Sequence, residues 1–321
     1  MGICAIMYIL LAIIRFLMWK GMELMAKIFG ENEHRILSYF EEGTRFIMGN
    51  REYEVILSGK PTCYSGEPKT DIYILAESLD GQQEEIKISF KQSNADFLEN
   101  KTNAERAEQL FGYNWQSIIT DSTQQISDQF YRRPLIYKNS FGRTQAGSIT
   151  LGWKFEILNV ESGALSSSLA LTYSQLVDVY SGSNLSADKR NASVHGRSIA
   201  DCGVANYIVF EDEYLGSAQD VIDSLISIEE YVQSNSDVYF ACKALNYRTY
   251  AHKYDGNRPL AVMVHWFVRN GKLAYNLVFD EPLLNGGDDA FDALSSALNQ
   301  IGAQTVDDLD EDNVEDPSII Y

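Results

Sequence analysis

The run Asp71-Ile-Tyr-Ile-Leu-Ala76, then Asp80-Gly81, then Glu85-Ile-Lys-Ile-Ser-Phe-Lys91 decides how this chain is read. The first segment is a short apolar strand, and the last alternates with period two. The Asp-Gly pair between them is a strong turn signal, so the three together predict a β-hairpin. With the tip at Asp80-Gly81, facing residue numbers sum to about 161, which sets Asp71 opposite Phe90, between Ser89 and Lys91. Side chains alternate along a strand, so Ser89 and Lys91 share one face. A carboxylate and an ammonium therefore meet at one end of the hairpin. Phosphodiester hydrolysis needs such a pair: carboxylates hold magnesium, which neutralises the scissile phosphate and lowers the pKa of its water, while a lysine orients that water.

Working outward, Ile36, Leu37, Tyr39 and Phe40 recur at helical spacing within Glu31–Glu42, and Gly43 supplies a stop. Tyr53–Leu57 alternates like a strand, followed by a loop carrying Gly59, Pro61, Gly66 and Pro68. After Lys91, Thr102 or Asn103 can cap a helix that runs to Phe111 and ends at Gly112. Beyond it the pattern predicts a helix at 121–130, strands at 147–160, 167–173 and 205–211, and a helix at 219–231. A hairpin follows around Asn270-Gly271, then a last helix at 288–301.

With its lead-in Gly66-Glu-Pro-Lys-Thr-Asp-Ile72 and its end Ile88-Ser-Phe-Lys91, this segment resembles the restriction-endonuclease-like superfamily of PD-(D/E)XK nucleases. The resemblance spans about Glu31 to Gly112. It implies an α/β fold, with a mixed β-sheet core flanked by helices and, in this chain, a β-rich C-terminal elaboration. It also implies Mg²⁺-dependent hydrolysis of DNA, with Asp71 as the metal-binding aspartate and Lys91 as the catalytic lysine. Ser89 stands where the family usually has a second acid. Some restriction endonucleases carry serine there and take the acid from the next helix, which points to Glu105 as the second metal ligand, with Ser89 in support. Glu99 and Glu108 are weaker alternatives. The family also often places a glutamate on a helix before the aspartate strand, a role for Glu42 or Glu41. Glu85-Ile-Lys87 spells the E-x-K motif literally, but it faces Ile74 to Ala76, several strand steps from Asp71.

The formal net charge of −19 is unfavourable for a nucleic-acid partner. It is unevenly spread, however. No lysine or arginine follows Lys272, and 305–321 reads as an acidic, solvated tail. The stretch from Tyr131 to Arg197 is basic by contrast. Screening beyond about 8 Å at physiological salt lets a local cationic surface hold phosphates. Arg132, Arg133, Lys138, Arg143, Lys189 and Arg190 are the candidate phosphate contacts there, and Gln92 and Asn94, just after the lysine, are candidate DNA contacts.

Cys4, Cys63, Cys202 and Cys242 form no C-x-x-C pair and four histidines are scattered, which supports neither a disulfide framework nor a zinc site. A reducing, cytoplasmic setting is the natural expectation. There is no Walker loop or dinucleotide fingerprint, so no nucleotide cofactor is expected. Residues 1–24 are apolar but interrupted by Arg15, which leaves open an over-extended start, a short membrane anchor or a buried helix. The division expected from sequence is 1–24, a nuclease core at 25–112, an elaboration at 113–304 and the tail at 305–321. The expected partners are DNA and a second copy in a homodimer, and a membrane only if residues 1–20 are genuine. RNA cannot be separated from DNA. Two rival readings are a catalytically inactive DNA-binding or structural protein that keeps the fold, and a membrane-tethered binding module.

Overall fold

The computed structural model describes residues 30–64, 66–91, 97–100, 102–211 and 214–321. The apolar amino-terminal segment, Gln92 and Asn94 lie outside these. Two units share the chain: one within Met1–Ala95 and Tyr180–Ser234, the other within Asp96–Val179 and Asn235–Tyr321. Unit 1 starts with helix α1 (residues 30–38) and strands β1 (Arg45–Met48), β2 (Arg51–Gly59), β3 (Ile72–Ser78) and β4 (Gln83–Lys91). Unit 2 takes β5 (Phe97–Glu99), α2 (Ala104–Phe111), α3 (Trp115–Gln125), α4 (Ser127–Tyr131), β6 (Ile136–Tyr137), β7 (Ser148–Leu158) and β8 (Ser166–Ser168). Helix α5 (Tyr173–Ser181) leads back to unit 1 for α6 (Ala187–Arg190), β9 (Ser193–Val194), β10 (Arg197–Ser198) and β11 (Tyr207–Phe210). There α7 (Ala218–Asp223), β12 (Ile226–Ser227) and α8 (Ile228–Ser234) follow, before unit 2 closes with β13 (Tyr239–Arg248), β14 (Val262–Arg269), β15 (Lys272–Val278) and α9 (Gly287–Ile301).

The fold is mixed α/β. The sheet of unit 1 runs β1-β2-β3-β4-β11-β12. Its first four strands form an antiparallel meander, and β11 lies parallel to β4, from Tyr207↔Ile88 to Phe210↔Lys91. A parallel neighbour needs a crossover, and here the crossover contains the whole first segment of unit 2. The boundary expected at Gly112 is therefore replaced by one before β5, with 180–234 returned to the first unit. Strand pairing at such separation leaves no local signature.

The hairpin forms as expected, with its register shifted by one. Ser78 N–H donates to Gln82 O at 2.9 Å and Gly81 N–H to Ser78 O at 2.9 Å, so Leu79 joins Asp80 and Gly81 in the turn. Gly81 takes φ +81°, the left-handed region that a three-residue turn of this kind requires. Ile72 faces Ile88 and Tyr73 faces Lys87, and continuing that register puts Asp71 opposite Ser89 rather than Phe90. Opposite residues share a face, so Asp71, Ser89 and Lys91 all fall on one side.

Tyr73 on that side packs with Val194 and Cys202, and the other side holds the larger apolar cluster. Ile72, Ile74, Ile86, Ile88 and Phe90 pack with Ile36 and Phe40 from the α1 segment and with Val221 and Ile222 from α7. Ile36 and Phe40 are four apart and completely buried, which fixes which stripe of the α1 segment meets the sheet. The helix expected at 219–231 is broken: α7 stops at Ser224, and Ile226-Ser227 instead pairs with β11.

In unit 2 the eleven-residue β7 is the spine of a sheet ordered β15-β14-β7-β13-β8. Gly152 stands where β7 bulges against β13, and a Cβ there would meet Val262 O at 2.5 Å, so the close approach requires glycine. The strand expected at 167–173 is only the short β8, and the helix expected at 121–130 is split between α3 and α4.

Residues 305–321 are not a solvated tail. Val306, Leu309, Val314 and Ile319 are at most 2% exposed. Backbone bonds tie Leu273 to Asn313, Leu135 to Ile319 and Tyr321 to Ile136. The acids face water and cap turns: Asp308 accepts from Thr305 N–H and Asp316 from Ser318 N–H. Among the described residues no helix is long and apolar enough to cross a membrane.

Candidate active site

Asp71 sits at the mouth of β3, held twice by β4. Its N–H donates to Ile88 O at 2.8 Å, and its Oδ2 accepts from Phe90 N–H at 2.8 Å. Preceding it, the N–H groups of Lys69 and Thr70 both donate to Gly203 O, at 3.0 and 3.2 Å. Gly203 has no room for a side chain, since a Cβ would lie 1.9 Å from Lys189 O. The Pro-Lys-Thr-Asp lead-in is thus clamped from the loop that feeds β11.

Two cations and a second acid complete the corner. Burial, the largest influence, pushes the Asp71 carboxyl up to about 6, against the opposing charge of Lys91; Glu33 raises it further, while the Phe90 N–H and Lys60 oppose. Glu33 is only 4% exposed, one α-turn before Ile36 on the inward stripe of α1. Its Oε2 pairs with Lys60, which follows β2. Burial works against the charge on Lys60, but the bond to Glu33 and the charges of Glu33, Asp71 and Glu67 outweigh it, so its pKa lies above the ordinary lysine value.

Three buried oxygens here have no hydrogen-bond partner among the described residues: Glu33 Oε1, Ser89 Oγ and Thr70 Oγ1. An unpaired buried polar atom costs about 1–3 kcal/mol, so each of the three is a place where a bound partner would be favourable. Next to it, Glu211 N–H donates to Lys91 O at 2.7 Å, and the Glu211 carboxylate accepts from Asn32 of α1.

The structure therefore joins Asp71, Ser89 and Lys91, as the hairpin implies, and adds Glu33, which the sequence reading missed. Glu41 and Glu42 are exposed in the turn after α1. They lie beyond Phe40, past the inward stripe, so the helical acid of this corner is Glu33 and not either of them. Glu105 belongs to unit 2. The buried stripe of α2 is Arg106, Ala107, Leu110 and Phe111, which leaves Glu105 exposed, accepting from Gln109 Nε2 at 3.2 Å. Of the alternatives, Glu99 is committed to Arg106 at 2.7 Å, and Glu108 is exposed. The corner is built from unit 1 alone. No group of three or more His, Cys, Asp or Glu able to hold a metal occurs among the described residues.

The expected cationic stretch is divided. Arg132, Arg133, Lys138 and Arg143 lie in unit 2, and Lys189 and Arg190 in unit 1. Arg190 is bound to Asp201 at 2.7 Å, and the Lys189 chain lies over Gly66, within 3.3 Å of where its Cβ would be. No protein-family profile matches this chain, and neither a curated protein nor a solved structure does.

Proposed function

We propose that the chain is a magnesium-dependent nuclease of the restriction-endonuclease-like type, cutting DNA at the Glu33–Asp71–Lys91 corner of unit 1. The observation that carries this reading is the convergence of two acids and two lysines beside oxygens that have no hydrogen-bond partner among the described residues. The strand order supports it too: an antiparallel meander with the aspartate entering its third strand, the lysine ending its fourth, and a parallel strand beside that one.

The donor set suits Mg²⁺, which binds through one or two carboxylates and otherwise keeps water or phosphate oxygens. Asp71 and the buried Glu33 Oε1 would hold the ion. When bound it neutralises charge on the scissile phosphate and activates water. Lys91 positions the attacking water from the far end of β4. Lys60 fixes the Glu33 carboxylate and supplies a second positive charge to the phosphate. Ser89 Oγ, opposite Asp71, would offer a hydrogen-bond donor beside the carboxylate.

The test is plasmid DNA incubated with the full chain and Mg²⁺ or EDTA, beside Lys91→Ala and Glu33→Gln. Nicking or cutting that needs the ion and disappears in both variants is the expected result; equal activity in Lys91→Ala sinks the reading. A second reading is favoured by the lack, among the described residues, of a group of three metal-ligating side chains: a DNA-binding or structural protein that keeps this fold without catalysis. It predicts retention of DNA without cleavage under any divalent ion.

A further inference from the structure

Unit 2 carries a cavity of about 240 Å³ beside β7 and β13, with Arg133, Arg143 and Lys243 in its wall and no acid. A second cavity of about 190 Å³ shares Arg143, Thr144 and Ala244 with it and adds Arg248 and Asp255. Four cations against one acid is a pronounced bias in a chain of net charge −19. Arg133 and Arg143 form no ion pair among the described residues. Lys243 Nζ lies 3.2 Å from Ser162 Oγ, and Arg248 pairs with Asp255 at 2.7 Å. The Arg248 Nε is nevertheless buried without a hydrogen-bond partner among the described residues. Glu156 lies 4.0 Å from Lys154 on the same sheet face as Lys243 and lines neither cavity, so the bias rests on Arg133, Arg143 and Arg248.

The same wall is aromatic. Trp153 is almost wholly buried in it, and Phe141, 37% exposed, lines it with its ring packed edge-on against Tyr321 at 4.8 Å, which leaves part of the ring open. Phe141 is held there by a tight loop, its N–H and O both bonded to Thr144, with Arg143 between them. A planar cation and an exposed ring on one short loop suit a ligand that has both an anion and a flat face. Arginine matches phosphate oxygens bidentately, and aromatic rings take nucleobases regardless of identity.

We infer that this paired cavity binds a nucleoside phosphate, with Arg133 and Arg143 on the phosphate and Phe141 against the base. Each cavity alone falls below the roughly 300–1,000 Å³ of drug-sized sites, which suits one nucleotide and not a dinucleotide cofactor. The chain lacks a Walker loop and a dinucleotide fingerprint, so nothing in its motifs would announce such a site. The inference is independent of hydrolysis at Asp71.

Calorimetric titration of the full chain with AMP, adenosine, inorganic phosphate and a 5′-phosphorylated dinucleotide tests it. AMP should bind at least tenfold more tightly than adenosine or phosphate, and Arg143→Ala should weaken AMP about tenfold. Phe141→Ala should weaken AMP about fivefold while leaving phosphate unchanged. Both residues are exposed, so the variants should fold, which circular dichroism checks. A dinucleotide that binds as well as AMP identifies a strand end as the source, and AMP alone identifies the free nucleotide. Equal binding of phosphate and AMP, indifference to both substitutions, or no binding at millimolar AMP overturns the inference.

Discussion

The two levels of the β3–β4 hairpin differ in a way that bears on function. At the Glu85–Lys87 level, the literal E-x-K spelling, every polar group has a partner. Tyr73 Oη donates to Glu85 at 2.7 Å, Lys87 Nζ lies 3.7 Å from the same carboxylate, and Asn206 bridges both backbones. At the Asp71–Ser89 level, one end of the same ribbon, the carboxyl is pushed up to about 6 and three oxygens nearby are unsatisfied. One level is a finished ion pair on a sheet, and the other is short of ligands. A motif's spelling is therefore a poorer guide than the balance of donors and acceptors around it.

The sharpest way to break this comparison is to mutate both levels. Asp71→Asn or Lys91→Ala should lower Mg²⁺-dependent DNA cleavage by about a hundredfold or more, whereas Glu85→Gln and Lys87→Ala should stay within about threefold. Plasmid nicking rates decide it, and a dead Glu85→Gln enzyme would reverse the assignment of the two levels. Glu33 and Glu105 offer the next cut. Glu33→Gln should weaken Mg²⁺ binding, read by calorimetry, by about tenfold or more, and Glu105→Gln should leave it unchanged.

The sequence makes the hairpin legible because its signals are local: period-two alternation and Asp80-Gly81 need no partner elsewhere. Its register does not follow from those signals, since whether Leu79 joins the turn is set by the Ser78–Gln82 bond. Glu33 could have been found. It continues the inward stripe of Ile36 and Phe40, and an acid on an apolar stripe is a buried charge awaiting a partner. Glu105 was suggested by the resemblance to serine-bearing restriction endonucleases, although the periodicity of α2 turns it outward. The acidic end misled for a similar reason: Val306, Leu309, Val314 and Ile319 are set among the acids, and composition averages them away. The pairing of β11 with β4 joins residues more than a hundred positions apart, with no local trace.

The pH response of the corner is a smaller effect with a definite sign. The native Asp71 carboxyl binds its proton more tightly than an unfolded aspartate, for which 3.8 is ordinary. Its contribution to stability is complete below that value and is lost as pH rises through about 6. Urea unfolding should therefore show Asp71→Asn gaining on the native chain between pH 5 and 7.5, by roughly 2 kcal/mol at most. Mg²⁺ should cancel the difference by favouring the ionised carboxylate. A carbon-13 titration of Asp71 checks the premise, and a midpoint near 4 without metal removes it.

Ser89 gives the finest discrimination. It is fully buried, opposite Asp71, with a hydroxyl that has no partner among the described residues. If that hydroxyl serves only packing, replacing it is a relief, because an unsatisfied buried group costs about 1–3 kcal/mol. Ser89→Ala should therefore raise stability by about 1 kcal/mol in metal-free unfolding. If the hydroxyl donates to a water at the ion, the same variant should also cut the cleavage rate severalfold, and its stability advantage should shrink when Mg²⁺ is added. Stability gained at no cost in rate assigns Ser89 to the core of the sheet. Stability gained with rate lost assigns it to the site, the trade between stability and activity expected of a functional group.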